Sequence, residues 1–467
     1  MEQRQEYIMN KTTKAFAVLA AATMSISIAA CGGGAGNGGT AAVHSDKTAN
    51  DNAECQNTVK KKGVQKVTVW AWYPSIEKVV DQYNETHDDL QVCWTNAGQG
   101  GAEYTKFNNT IKAKTGAADV VQLEYEAMPQ FVAGKDKHLV DLKQFGFDKY
   151  KDDYTEGAWN GVTMNSDNGI YGVPVDLGPF VMYVRQDVFD KYKVKVPTTW
   201  DEFAQAGRDL KAAGYDGYLS DWAPNGTAVN LALFAQKDAN VYKYSASAPD
   251  KVGIDFNSKG VQEVMKFWQG LVKEGLVDTT DANTTDWNTN MLAGKYACYV
   301  QASWLTGYIQ GLDGSDKGNF RMYKAPVWDD STPDVNQGGS AWAVTDQAKD
   351  TEAAYKVARE LFSSKEAQQI GVTDGGLFPA WTDMLESDTF KNMTDAFLGG
   401  QKINEVTIPV AEGYKGYAFL PFQTYAYDEQ MKAFSKIVKE GGSIEDNLSA
   451  LDTTLDSYAK QQGFTVE

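Results

Sequence analysis

Histidine is scarce. Among 467 residues there are three, His44, His87 and His138, spread far apart. A His-rich zinc site needs several imidazoles together, so that class is excluded, and neither a metal nor another cofactor is expected. Positive charge is also short: Lys and Arg total 44 against 62 acidic residues, a net charge of −18. Affinity for nucleic acid rests on cations that face phosphates, and with no long basic run a nucleic-acid partner is excluded. No Walker-type loop is present, no glycine-rich phosphate loop joins a strand to a helix, and no Gly-x-Ser-x-Gly elbow marks an α/β hydrolase. Past residue 30, no apolar run reaches the ~20 residues that cross a bilayer as a helix. A polytopic helical membrane protein is thereby excluded.

What is present fits a packed, bilobal or two-to-three-domain chain. Hydrophobic residues make up 42% and charged residues 23%, ordinary values for a globular protein. Aromatics are plentiful, with 20 Phe, 24 Tyr and 12 Trp. Most should be core. A surplus of amphipathic rings also suits a ligand that is apolar on one face and rich in hydroxyls.

The N-terminus reads as targeting rather than fold. Met9 to Lys14 is short and basic, Ala15 to Ala30 carries no charge, and Ala29-Ala30-Cys31-Gly32 places small residues before a cysteine. A basic head, an apolar stretch and small residues at a cut describe a secretory signal. Cys31 at the cut narrows it to the lipobox pattern, although Ser27 stands where leucine is commonest. Residues 1–30 are thus expected to be a lipoprotein signal, with translation starting at Met9 and Cys31 carrying the acyl chains. Residues 31–57 are Gly-rich and polar, the composition of a flexible tether. The expected location is the outer face of the cytoplasmic membrane, held by lipid. Cys55, Cys93 and Cys298 remain, an odd number that allows one pair. Cys55 precedes the first strand and Cys93 lies in the second, so Cys55–Cys93 is the preferred disulfide, with Cys298 as a buried small hydrophobe.

Periodicity then sets the body. Val67 to Trp72, Leu90 to Trp94 and Asp119 to Leu123 read as strands, separated by helical patterns at Ser75–Glu85 and Ala102–Lys114. Strand–helix–strand–helix–strand argues for a parallel α/β sheet. Thr199 followed by Glu202 forms a capping box for a helix at Trp200–Ala213. Further helices are predicted at Ser258–Glu274, Asp350–Phe362, Gln423–Lys439 and Ser443–Gln461. Trp200 and Trp268 are expected to be helix-packing residues.

Several stretches, taken in order behind the lipobox, resemble the extracellular solute-binding proteins of family 1, the carbohydrate receptors of ABC importers. They are Val67–Tyr73, Ala118–Glu126, Tyr171–Asp176, Asp187–Phe203 and Gly338–Val344. The resemblance covers about Lys66 to Tyr458. It implies an α/β, two-lobed periplasmic-binding-protein-like fold with discontinuous lobes, a hinge and a central cleft. By that analogy one lobe is 58–175 with 339–392 and the other 176–338 with 393–467. It also implies a monomer that is not an enzyme, a carbohydrate ligand, and permease subunits as partners.

A sugar ring stacks its C–H face on an aromatic ring and bonds its hydroxyls to charged acceptors, which make the stronger bonds. Aromatic–acid neighbours at strand ends are therefore the candidates: Trp72, Tyr73, Tyr125, Glu126, Asp176, Asp221, Trp222, Trp304, Gly339, Ser340, Trp342 and Phe378. Trp304 resembles the family's stacking position, and Asp221-Trp222 its contact from the second lobe. A glycoside hydrolase would need a carboxylate pair about 5–10 Å apart, and no spacing here singles one out. A receptor for anions would want Arg in the ligand loops, where none occurs.

Overall fold

The computed structural model describes residues 55–134, 137–312 and 318–467. The signal-like segment, Cys31 and the tether up to residue 54 lie outside the described residues.

The first sheet grows from three parallel strands. β1 (Gln65–Trp70) is flanked by β2 (Leu90–Thr95) and β3 (Val120–Glu124). The helix Ile76–Thr86 connects the first two and buries Ile76, Val79, Val80 and Tyr83, the i, i+3, i+4, i+7 stripe of a core-facing helix. The helix Gly101–Ala113 makes the second crossover. A disulfide joins Cys55 to Cys93 in β2, with Cα atoms 5.0 Å apart, and Cys298 is free and buried. The strand Ser340–Val344 inserts antiparallel between β3 and β4 (Val173–Pro174), setting Ser340 opposite Glu124 and Trp342 opposite Gln122 and Val173.

The second sheet differs in kind. Its central strand, Phe180–Arg185, lies antiparallel between Cys298–Ala302 and Phe320–Lys324, and all six of its residues are buried. Helices surround it. Trp200 opens the helix Trp200–Ala212 and meets Trp268 of the helix Lys259–Lys273 edge to face, centroids 5.5 Å apart. The Thr199 hydroxyl caps that first helix, accepting from Glu202 N at 3.2 Å. The return half of the box shifts by one residue: the Glu202 carboxylate accepts from Thr198 N and its hydroxyl at 2.8 and 2.7 Å. The C-terminal helices Gln423–Val438 and Ile444–Gln461 pack on each other and on Lys259–Lys273.

Two crossover segments join the sheets, bonded to each other in antiparallel fashion. Val175 N donates to Ser340 O at 2.9 Å, Gln337 N to Gly178 O at 2.8 Å and Phe180 N to Val335 O at 3.1 Å. The contact is so close that a Cβ on Gly178 would lie 2.0 Å from Gln337 O.

One buried group works against the fold at alkaline pH. Glu103, in the helix Gly101–Ala113, is fully buried, and neither carboxylate oxygen has a hydrogen-bond partner. Burial pushes its pKa up to about 9, with Lys106 offsetting part of the rise. Between its ordinary value and about 9, the folded state holds a proton that the unfolded chain has lost. Stability must therefore fall as pH rises through that window. Other buried acids add the same sign, so a paired comparison is needed. Glu103→Gln is expected to lose less melting temperature than the parent between about pH 5 and pH 8. Parallel pH–melting curves for the two proteins would show Glu103 to be ionised in the fold.

Candidate ligand-binding site

The crossover brings a tryptophan, two bare glycines and a row of acids together. Strand Ser340–Val344 begins where the second crossover segment ends, so register places Ser340 beside Glu124. Asp176, on the first segment, accepts from Ser340 N and Oγ at 2.8 and 2.6 Å. Gln122 Nε2 also donates to Ser340 Oγ, at 3.1 Å. Glu124 accepts the Tyr104 hydroxyl at 2.6 Å, and Glu126 accepts the Tyr427 hydroxyl at 2.6 Å. Trp72, two residues beyond β1, meets Tyr104 edge to face with ring centroids 6.1 Å apart.

Trp304 hangs from the same junction. Its indole N–H donates to Gln337 O at 3.1 Å, while the residue is 40% exposed, one of few large hydrophobic residues left open. A tryptophan pinned by its polar edge with its face in solvent offers a stacking surface at little further cost in side-chain entropy.

Electrostatics set the row apart from surface acids. Glu124, Glu126 and Asp176 all keep some solvent contact. Yet desolvation by the protein packed round them raises the pKa of each, and Glu124 raises the other two further by repulsion. Asp176 reaches about 7 even against its two bonds from Ser340. Contact with solvent together with strong desolvation describes a recess. Asp221 stands apart in the second sheet's half. It accepts from the Trp287 indole at 2.9 Å, and burial pushes its pKa to about 6. Among the described residues no group of His, Cys, Asp and Glu could hold a metal, and no helix is long and apolar enough to cross a membrane.

Five expected ligand residues turn out to be core, and each has a physical reason. Trp222 is buried, its indole N–H donates to Asn230 Oδ1 at 2.7 Å, and its ring stacks on Trp268. Trp342 lies between β3 and β4 with its ring wholly buried against Tyr73. Tyr73 is itself sandwiched by Trp342 and Phe362. Tyr125 spends its hydroxyl on Asp176 O at 3.1 Å and its amide on Gly339 O at 3.1 Å. Phe378 packs edge to face on Phe390. Sequence reading singled out neither Tyr104 nor Tyr427, whose hydroxyls meet Glu124 and Glu126 from helices 20 and 301 residues away, and it left open which of the two glutamates faces a ligand. Two surface cavities, about 410 Å³ beside Tyr242 and Tyr417 and about 560 Å³ beside Tyr150 and Arg359, take in neither Trp304 nor the acids of the row.

Gly339 combines a close approach with a left-handed backbone. Its φ is +98°, and a Cβ there would lie 2.7 Å from Asp176 O and 2.8 Å from the Tyr125 ring. Gly339→Ala therefore combines left-handed strain with a clash against backbone. It is expected to cost about 2–3 kcal/mol of stability and to loosen the Asp176–Ser340 pair. Chemical denaturation measures it. Unchanged stability would show that the crossover has room to give.

Comparison with known proteins follows the same outline. Residues 78–397 match the family described as bacterial extracellular solute-binding protein. The lactose-binding protein of Rhizobium radiobacter is 23% identical over 362 residues, 72% of this chain and 80% of that protein. The ABC-transporter-associated binding protein of B. animalis subsp. lactis Bl-04, solved with β-1,6-galactobiose, is 28% identical with a TM-score of 0.72, covering 87% of this chain and all of that one. The Bifidobacterium longum protein that binds galacto-N-biose and lacto-N-biose I has a TM-score of 0.74 at 22% identity, over 87% of this chain and all of that one. With the family pattern running from the first connecting helix to beyond the return strand, the chain belongs to the bacterial extracellular solute-binding proteins, has their two-lobed α/β fold, and is a binding protein rather than an enzyme.

Proposed function

We propose that this protein is a lipid-anchored receptor that binds a sugar, an oligosaccharide above all, between its lobes and delivers it to the permease of an ABC importer. The observation that carries this reading is Trp304, exposed yet fixed by its N–H beside a row of carboxyl acceptors. The ring suits the C–H face of a sugar and the acids suit its hydroxyls. Relatives described as sugar-binding support the ligand class. Cys31, with Ala29 and Ala30 before it, supports the anchor. We assign residues 58–175 and 339–392 to one lobe and 176–338 and 393–467 to the other. Closure of such lobes makes contacts that opening removes, which reconciles capture with release.

Melting-temperature screening against neutral oligosaccharides tests the ligand class, because a ligand that binds only the native state raises the melting point. With a sugar found in that way, Trp304→Ala is expected to weaken affinity by about 2–4 kcal/mol, roughly 30- to 1000-fold, through lost stacking and buried area. The apo melting point should barely move, since the ring is not core. Unchanged calorimetric affinity would remove Trp304 from the site.

The anchor has its own test. Cys31→Ser is expected to leave an unprocessed precursor or shed protein into the medium. Processed, membrane-bound Cys31→Ser protein would refute lipid attachment at that residue.

A further inference from the structure

Three carboxylates occupy one row among neutral hydrogen-bond donors. Glu124 and Ser340 are register partners, Asp176 is bonded to Ser340, and Glu126 follows two residues after Glu124. Their polar partners are hydroxyls and an amide: Tyr104 on Glu124, Tyr427 on Glu126, and Ser340 Oγ and N on Asp176. What acts on them most strongly is burial, these donors and, for Glu126 and Asp176, the Glu124 carboxylate. The fixed neighbours of the row are thus neutral donors and one another. Burial holds all three above the ordinary carboxylate range, and repulsion from Glu124 adds to the rise for Glu126 and Asp176.

Such a row can take hydroxyl donors, and it gains from a positive charge. A ligand carboxylate would add to the negative charge that the row keeps, in a partly desolvated recess where Coulomb repulsion is poorly screened. We propose that the site selects its sugar by charge, holding neutral or ammonium-bearing sugars and refusing those that carry a carboxylate. This rests on the carbohydrate reading above and narrows it to a ligand class. Selectivity of this kind comes from repulsion built against the competitor as much as from attraction to the ligand.

Calorimetric titration of the whole protein with matched disaccharides tests it. Lactose, β-1,6-galactobiose and maltose would each be used in three forms: neutral, oxidised to a uronate at C6 of the non-reducing residue, and carrying an amine there. For every set whose neutral member binds, the uronate is expected to bind about tenfold more weakly or worse. The amine should bind within about threefold of the neutral sugar, or more tightly. Glu124→Gln should narrow the gap between neutral and uronate forms, a change that lost packing alone would not produce. Uronates that match their neutral counterparts would overturn charge selection and leave the carbohydrate reading standing. So would amines that lose as much affinity as uronates, since the cause would then be size. Absence of binding by every neutral and uronate form would overturn the carbohydrate reading, and the charge proposal with it.

Discussion

The hold of Asp176 on Ser340 is the constraint on which the rest depends. One carboxylate accepts both the amide and the hydroxyl of the first residue in the return strand. That bond fixes the start of Ser340–Val344, and hence its register against β3 and β4. Shifting a strand by one residue sends every side chain to the opposite face. Here a slip would turn Trp342 away from Tyr73 to the opposite face and move Ser340 away from Glu124. The backbone bonds around Gly178 and Gly339 then hold the two crossover segments together, and Trp304 is tied to that junction through Gln337 O. Fold and site share one hydrogen-bond network.

The same network explains why so much acid can be gathered in one place. Charged-group burial is costly unless hydrogen bonds compensate, and each acid of the row has a donor. The donors are neutral and offset the cost only in part, so burial still holds the acids above their ordinary range. Glu103 shows the opposite case: fully buried, without a donor, and pushed up to about 9 by burial. The contrast separates acids that can meet a ligand from one that only burdens the fold.

The helices were largely legible. Thr199, Asp350 and Ser443 cap the helices Trp200–Ala212, Thr351–Glu360 and Ile444–Gln461 within a residue or two of the positions that capping and periodicity give. The three parallel strands were legible for the same local reasons. The antiparallel pairing of Phe180–Arg185 was not, because its strand is buried on both faces and shows no alternation. That ambiguity also hid the direction of Trp342, which alternation would have revealed in a half-exposed strand. Trp222 misled because an acid–aromatic pair at a strand end looks the same whichever side chain turns inward. Tyr427 was beyond local reading altogether: it meets Glu126 across 301 residues of sequence. Single-sequence patterns carry local order, whereas such a meeting depends on how the lobes are assembled.

The inserted strand has a consequence for the order of assembly. β1, β2 and β3 lie within the first 124 residues, yet the outer edge of β3 pairs only with Ser340–Val344. During synthesis, when N-terminal segments emerge first, that edge has no native partner until some two hundred further residues have appeared. An open edge of alternating N–H and C=O groups is a template for adventitious pairing. Long-range closure of this kind is also slow, because loop entropy must be lost before the contact forms. The first sheet is therefore completed only after the return strand Ser340–Val344 has been made.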